Sequence, residues 1–224
     1  MSSANGRTVR EEGVERFISF EGVDGCGKST QLGLLADWLK QHGQGVCTTF
    51  EPGDTDLGRH IRELLMHGAA PAPQAELFLF LADRAEHVAE VIRPALGRGD
   101  WVLCDRYTDS TRAYQLAGRA LGGDLGPLLA AAEAGVVPTC TVWLDLPVEQ
   151  ALARMASRAA AGGRATRMDE ESLAFHRRVQ AGFEAICRQE PGRVLRVAAD
   201  ADIGTVQQRI RQALADRLGT AWPR

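Results

Sequence analysis

A chain of 224 residues, 45% of them apolar and 25% charged, is long enough for one generous domain or two cramped ones. That apolar share excludes disorder and collagen-like repeats, and no apolar run approaches the ~18–20 residues of a membrane-spanning helix. With 26 basic and 29 acidic residues the formal net charge is -3, so no bulk positive field gathers nucleic acid and any anion must be met by a local cluster.

Five cysteines, scattered and without a C-x-x-C pair, argue against a disulfide framework or a zinc site and for a reducing cytoplasm. Residues 1–15 are polar, mix charges and lack the apolar core of a signal peptide, which predicts a disordered tail. Residues 16–21 (RFISFE) predict a strand, and a glycine-punctuated loop follows at 22–27. Residues 28–41 carry Leu32, Leu35, Trp38 and Leu39 at helical spacing. A second strand is predicted at 45–50, a short helix at 57–67 and a long one at 74–96. The run at 101–104 is apolar throughout, as a strand buried on both faces would be. Helices at 108–117 and 124–134 lead to a fourth strand at 139–144. A helix from Pro147 runs into a small, glycine-rich stretch at 159–163. Residues 169–190 predict a helix, 193–197 a fifth strand and 203–218 a last helix. Strands separated by helices give one α/β domain over residues 16–219, a three-layer sandwich with a five-stranded parallel sheet covered on both faces.

Only Lys28 and Lys40 are lysines among the basic residues, and Lys28 closes a motif. Gly22-Val23-Asp24-Gly25-Cys26-Gly27-Lys28-Ser29 matches G-x-x-x-x-G-K-[ST] in full, directly after a predicted strand and at the start of a predicted helix. Such glycines let successive main-chain amides curl around phosphate oxygens. The helix start, continuing through Thr30, adds partial positive charge. Lys28 reaches the terminal phosphates of a bound nucleoside triphosphate, and the Ser29 hydroxyl can ligate Mg²⁺. Asp24 is out of place in a loop built for polyphosphate, so it is expected to face away, towards a group that needs an acceptor such as a sugar hydroxyl. Cys26 is a small filler by this reading, with a redox role as the alternative. The five histidines show no metal-ligand spacing.

The third strand ends in Asp105-Arg106-Tyr107, and both tyrosines of the chain, Tyr107 and Tyr114, fall within residues 105–115. An acid and an arginine at the carboxyl end of a buried strand stand where open α/β sheets bind ligands. Asp105 can hold Mg²⁺ through water, and Arg106 can grip a second phosphate with two prongs.

With these residues in place the chain resembles the bacterial branch of thymidylate kinases, nucleoside monophosphate kinases of the P-loop NTPase fold. The likeness rests on the glycine loop with its acidic third residue, Glu51-Pro52-Gly53, residues 105–115, and Phe80 with Arg84 in LFLFLADRAEH. It implies that dTMP and ATP are the partners, with Mg²⁺, that the enzyme is a homodimer, and that a mobile lid spans about 158–168. By the resemblance Phe80 stacks on thymine, Arg84 bonds its O4, and Arg106 holds the dTMP phosphate. Asp24 meets the 3′-hydroxyl, Tyr114 blocks a 2′-hydroxyl, Thr111 and Gln115 line the base with Ser110 close by, and Glu51 belongs to the dTMP site. Phe80 and Arg84 stand four apart on a predicted helix and so share a face, as those roles require.

Two departures stand out. Where the bacterial pattern reads Arg-Glu-Pro-Gly-Gly-Thr, this chain has Phe50-Glu51-Pro52-Gly53-Asp54-Thr55, and where some members carry an arginine in the phosphate loop it has Gly25. The missing charge then falls to the lid, where Arg158, Arg164 and Arg167 cluster around Gly162-Gly163. Arg164 or Arg167 is expected to contact the transferring phosphoryl group. The acceptor phosphate, with a second pKa near ~6, is already an anion at pH 7, so no general base is required. Another small nucleoside or nucleotide kinase, or an ATP-binding regulatory module, remains the alternative.

Overall fold

The computed structural model describes residues 16–160 and 166–223, the side chains of residues 158 and 159 excepted. The predicted tail, residues 161–165 of the predicted lid with Arg164 among them, and the side chain of Arg158 therefore lie outside the described residues.

Five strands form one parallel sheet in the order β2-β3-β1-β4-β5: β1 (Phe17–Glu21), β2 (Val46–Phe50), β3 (Trp101–Asp105), β4 (Cys140–Asp145) and β5 (Val194–Ala198). The central strands β1, β3 and β4 are buried along nearly their whole length, which is why each is mostly apolar, with acids only at their carboxyl ends. The outer β2 is half-buried and reads VCTTF. Because β1 lies between β3 and β4, the chain changes winding direction there. The carboxyl ends of β1 and β3 open a crevice, with Phe20 in register with Asp105.

Helix α1 (Lys28–Gln41) starts immediately after the β1 loop and turns Leu32, Leu35, Ala36 and Leu39 onto the sheet. The Thr55 hydroxyl caps α2 (Asp56–His67) by accepting the Gly58 amide at 2.9 Å. The helix predicted at 74–96 is one rod in three parts: α3 (Pro73–His87), a wider π turn (Val88–Ile92) and α4 (Arg93–Gly97). Pro94 cannot donate to the preceding turn, so a helix of regular pitch cannot run through it unbroken. The helix predicted at 108–117 likewise divides into α5 (Thr108–Thr111) and a π segment (Arg112–Gly118). Next come α6 (Gly126–Glu133), α7 (Val148–Ala160), α8 (Leu173–Gln189) and α9 (Ile203–Leu218).

Helix α8 begins four residues later than the pattern predicts, because Ser172 caps it through the Phe175 amide. Asp169 is occupied instead in a turn, where it accepts from the Thr166 amide and hydroxyl. At the far end of the molecule Trp222 stacks on Trp38 with ring centroids 5.3 Å apart, tying the C-terminal segment to α1.

Candidate active site

A cavity of about 760 Å³ opens at the carboxyl ends of β1, β2 and β3, within the size range of small-molecule sites. Its wall includes Asp24, Gly25, Gly27, Lys28 and Ser29 from the phosphate loop and the start of α1. The loop glycines hold conformations closed to other residues: Gly25 has φ 82°, and a Cβ there would strike the carbonyl of Ala151 on α7. An arginine at that position would be strained in this chain and would need α7 to shift. Lys28 is buried, with Nζ 3.2 Å from the carbonyls of both Gly22 and Val23. Ser29 Oγ donates to Asp105 Oδ2 at 2.5 Å, so the hydroxyl and the carboxylate converge beside the loop. Gly22, Val23, Cys26 and Thr30 do not line the cavity; Val23 and Cys26 are core. Burial raises the Cys26 thiol above its ordinary range, with Lys28 and Arg106 lowering it in part. That environment suits a filler rather than a reactive thiolate.

Arg106 follows β3 in the left-handed region at φ 74°, rare for an arginine. The bend is held from several sides. The Arg106 amide donates to the Phe20 carbonyl at 2.9 Å, the Tyr107 amide donates to Glu21 Oε1 at 2.7 Å, and Ser110 Oγ donates to Glu21 Oε2 at 2.5 Å. The guanidinium is aimed across the crevice at the phosphate loop. Its Nη2 donates to Asp24 Oδ1 at 2.6 Å, and its Nη1 donates to Ser110 Oγ at 3.0 Å. The Tyr114 hydroxyl donates to Asp24 Oδ2 at 2.8 Å, while the guanidinium carbon sits 4.9 Å from the centre of the Tyr114 ring. Burial alone would raise the Asp24 carboxyl, but Arg106, Lys28 and the Tyr114 hydroxyl outweigh it and hold the group well below the carboxylate range. The structure thus couples Asp24, Arg106 and Tyr114 in one hydrogen-bonded cluster, although the sequence pattern gives them separate roles.

The other end of the cavity is lined by Phe80, Arg84, Thr111 and Gln115. Arg84, only 2% exposed, donates through Nε and Nη2 to Glu51 Oε2 at 3.0 and 2.8 Å and through Nη1 to Thr111 Oγ1 at 3.0 Å. Glu51 precedes a cis peptide bond to Pro52 and also meets His87 Nδ1 at 2.9 Å. In the departing segment at residues 50–55, Asp54 accepts from the Thr49 hydroxyl at 2.5 Å, and Phe50 lies under the Arg62 guanidinium, 5.6 Å from the ring centre. Arg62 lines the cavity, so it places a guanidinium on the wall where the resemblance would have an arginine at position 50.

Arg167 is elsewhere. It does not line the cavity; its Nη2 donates to Glu76 at 2.6 Å and its Nε to the Leu65 carbonyl at 3.2 Å. Its neighbours Thr166, Met168 and Asp169 do line the cavity. So does Arg154 on α7, which the sequence pattern does not single out because it lies within a regular helix and outside the glycine-flanked stretch. Glu21 was missed as well, though an acid ending the strand before the phosphate loop was its signal.

A family model for thymidylate kinase matches residues 20–210. A thymidylate kinase of a Synechococcus strain is 46% identical over 92% of this chain and 97% of its own length. One from Thermomicrobium roseum is 52% identical over 79% and 83%. The crystal structure of thymidylate kinase from Ehrlichia chaffeensis superposes with a TM-score of 0.69 at 30% identity, covering 88% of this chain and 97% of that one. A phosphate loop facing a half-buried arginine and an aromatic-walled slot thus sits on a chain alike to these proteins over most of its length, and the chain belongs to the thymidylate kinase family.

Proposed function

We propose that this protein transfers the terminal phosphoryl group of MgATP to dTMP, giving dTDP. The observation that carries the reading is the shared cavity: a polyphosphate loop at one end, a base-sized slot at the other, and Arg106 between them. The transfer mainly requires that two polyanions be brought end to end and their charge neutralised. The loop amides and Lys28 hold the donor, and Lys28 exchanges the carbonyls of Gly22 and Val23 for phosphate oxygens. Arg106 grips the acceptor phosphate, its fork fixed by Asp24 and Ser110. Phe80 stacks on the base and Arg84 meets its O4. Tyr114, held by Asp24, closes the space beside the sugar. Arg154 stands on the cavity wall as a further cation for the crowded phosphates.

Ser29 and Asp105 suit Mg²⁺, which binds through few protein oxygens and keeps waters and substrate phosphates as its other ligands. When bound, the ion screens the phosphate charge. Among the described residues no helix is long and apolar enough to cross a membrane. All five cysteines are free, which supports a reducing, cytoplasmic setting.

Coupled measurement of ADP release tests the reading. Release from MgATP should depend on added dTMP, and Lys28→Ala should lower kcat by about 100-fold or more. ADP release indifferent to dTMP would identify an ATP-binding module or a kinase of another substrate.

A further inference from the structure

Gln115 lines the base slot, is 1% exposed, and its amide can face the slot in two ways. One of them is enforced. Gln115 Nε2 donates to Glu76 Oε1 at 2.9 Å, and Glu76 on α3 is itself 1% exposed. Two arginines from separate segments hold that carboxylate: Arg119 donates to both oxygens at 3.0 and 3.1 Å, and Arg167 donates to Oε2 at 2.6 Å. Burial would raise the Glu76 carboxyl, but these hydrogen bonds overcome it and bring it below its ordinary range. An ionised carboxylate only accepts, so the amide nitrogen of Gln115 must turn towards it and the amide oxygen is left as the free acceptor.

We propose that Glu76 is a specificity-determining positioning residue: it fixes the polarity of the Gln115 amide, so that the slot offers an acceptor to a pyrimidine N3–H. The proposal rests on the dTMP reading of the slot. With Arg84 as donor beside it, the slot presents a donor for O4 and an acceptor for N3–H. Thymine matches that order. Cytosine, with an N4 amine and an unprotonated N3, reverses it, and a buried mismatch of this kind leaves polar groups unpaired. Arg119 and Arg167 act as clamps that keep Glu76 ionised.

Glu76→Gln keeps the shape but can itself donate, which releases the Gln115 amide to turn over. The ratio of kcat/KM for dTMP over dCMP should then fall at least 10-fold, through a raised KM for dTMP, with kcat at saturating dTMP within about 3-fold of the parent. Arg119→Met removes packing and charge but leaves the acceptor, and should lower Tm while holding the ratio within about 3-fold. An unchanged ratio in E76Q, or an equal fall in R119M, would overturn the proposal and leave Glu76 a structural ion-pair partner. Should E76Q not fold, the wild-type protein decides. It should bind dTMP at least 10-fold more tightly than its N3-methyl derivative, and equal binding would overturn the proposal. Failure of the dTMP reading itself is separate, since wild-type protein would then not be saturated by dTMP.

Discussion

Asp83 shows how far a single buried side chain can be followed. Its Oδ1 accepts the Gly53 amide at 3.0 Å, its Oδ2 has no partner, and burial together with the nearby Glu51 pushes its carboxyl up to about 7. Between its ordinary 3.8 and about 7 the folded protein keeps a proton that the unfolded chain has lost. Stability must therefore fall as pH rises through that window and level off above it. Asp83→Asn retains the acceptor and removes the titration. Thermal unfolding from pH 4 to pH 8 should show the mutant gaining on the wild type by roughly 3 °C or more towards neutral pH; a difference constant with pH would contradict the assignment. The residues on the cavity wall that the proposal gives to phosphate and base were the legible ones, because that chemistry restricts their type. Lys28, Arg106, Phe80 and Arg84 stand on the cavity wall where their motifs put them. The buried supports were less legible. Glu21, Glu76 and Asp83 are carboxylates like any other in a linear sequence, and only folding shows which guanidinium or amide each one meets.

Among the elements, all five strands and the order of the helices follow from apolar runs and helical spacing, with most boundaries displaced by one or two residues and the start of α8 by four. The irregular turns could not be read. Nothing local announces the π segment at Arg112–Gly118, which carries Tyr114 and Gln115 into the site. Arg167, expected in a lid, is tied to α2 and α3 in this structure and stands off the cavity wall, which Arg154 on α7 lines. Helices also carry the inference about assembly. Leu57 and Leu64 on α2, Phe78 on α3 and Leu128 on α6 are exposed, and these helices pack side by side. We infer that this face meets a second copy of the chain, as the family resemblance implies, since apolar side chains so grouped mark an interface. Sedimentation at micromolar concentration should give twice the 24.2 kDa of one chain, and Phe78→Glu should shift it towards the monomer. A monomeric wild-type protein would contradict this.

For the molecule as a whole, function follows from topology. The sheet order places the β1 loop and the end of β3 side by side, so the glycine-rich loop and Arg106, to which the proposal gives the two phosphates, face each other across one crevice. α3 then brings Phe80 and Arg84 to the wall of the same cavity. The central claim is that this part of it is shaped for thymine. It is tested most directly by kcat/KM for a panel of nucleoside monophosphates under saturating MgATP, with wild-type protein and Phe80→Ala. Stacking on an aromatic ring is worth ~1–3 kcal/mol per base. The account predicts that dTMP exceeds dCMP, dAMP, dGMP and UMP by about 100-fold or more, and that loss of the ring lowers the dTMP value by roughly 10- to 100-fold. Comparable values across the panel, or a Phe80→Ala protein as efficient with dTMP as the wild type, would contradict it.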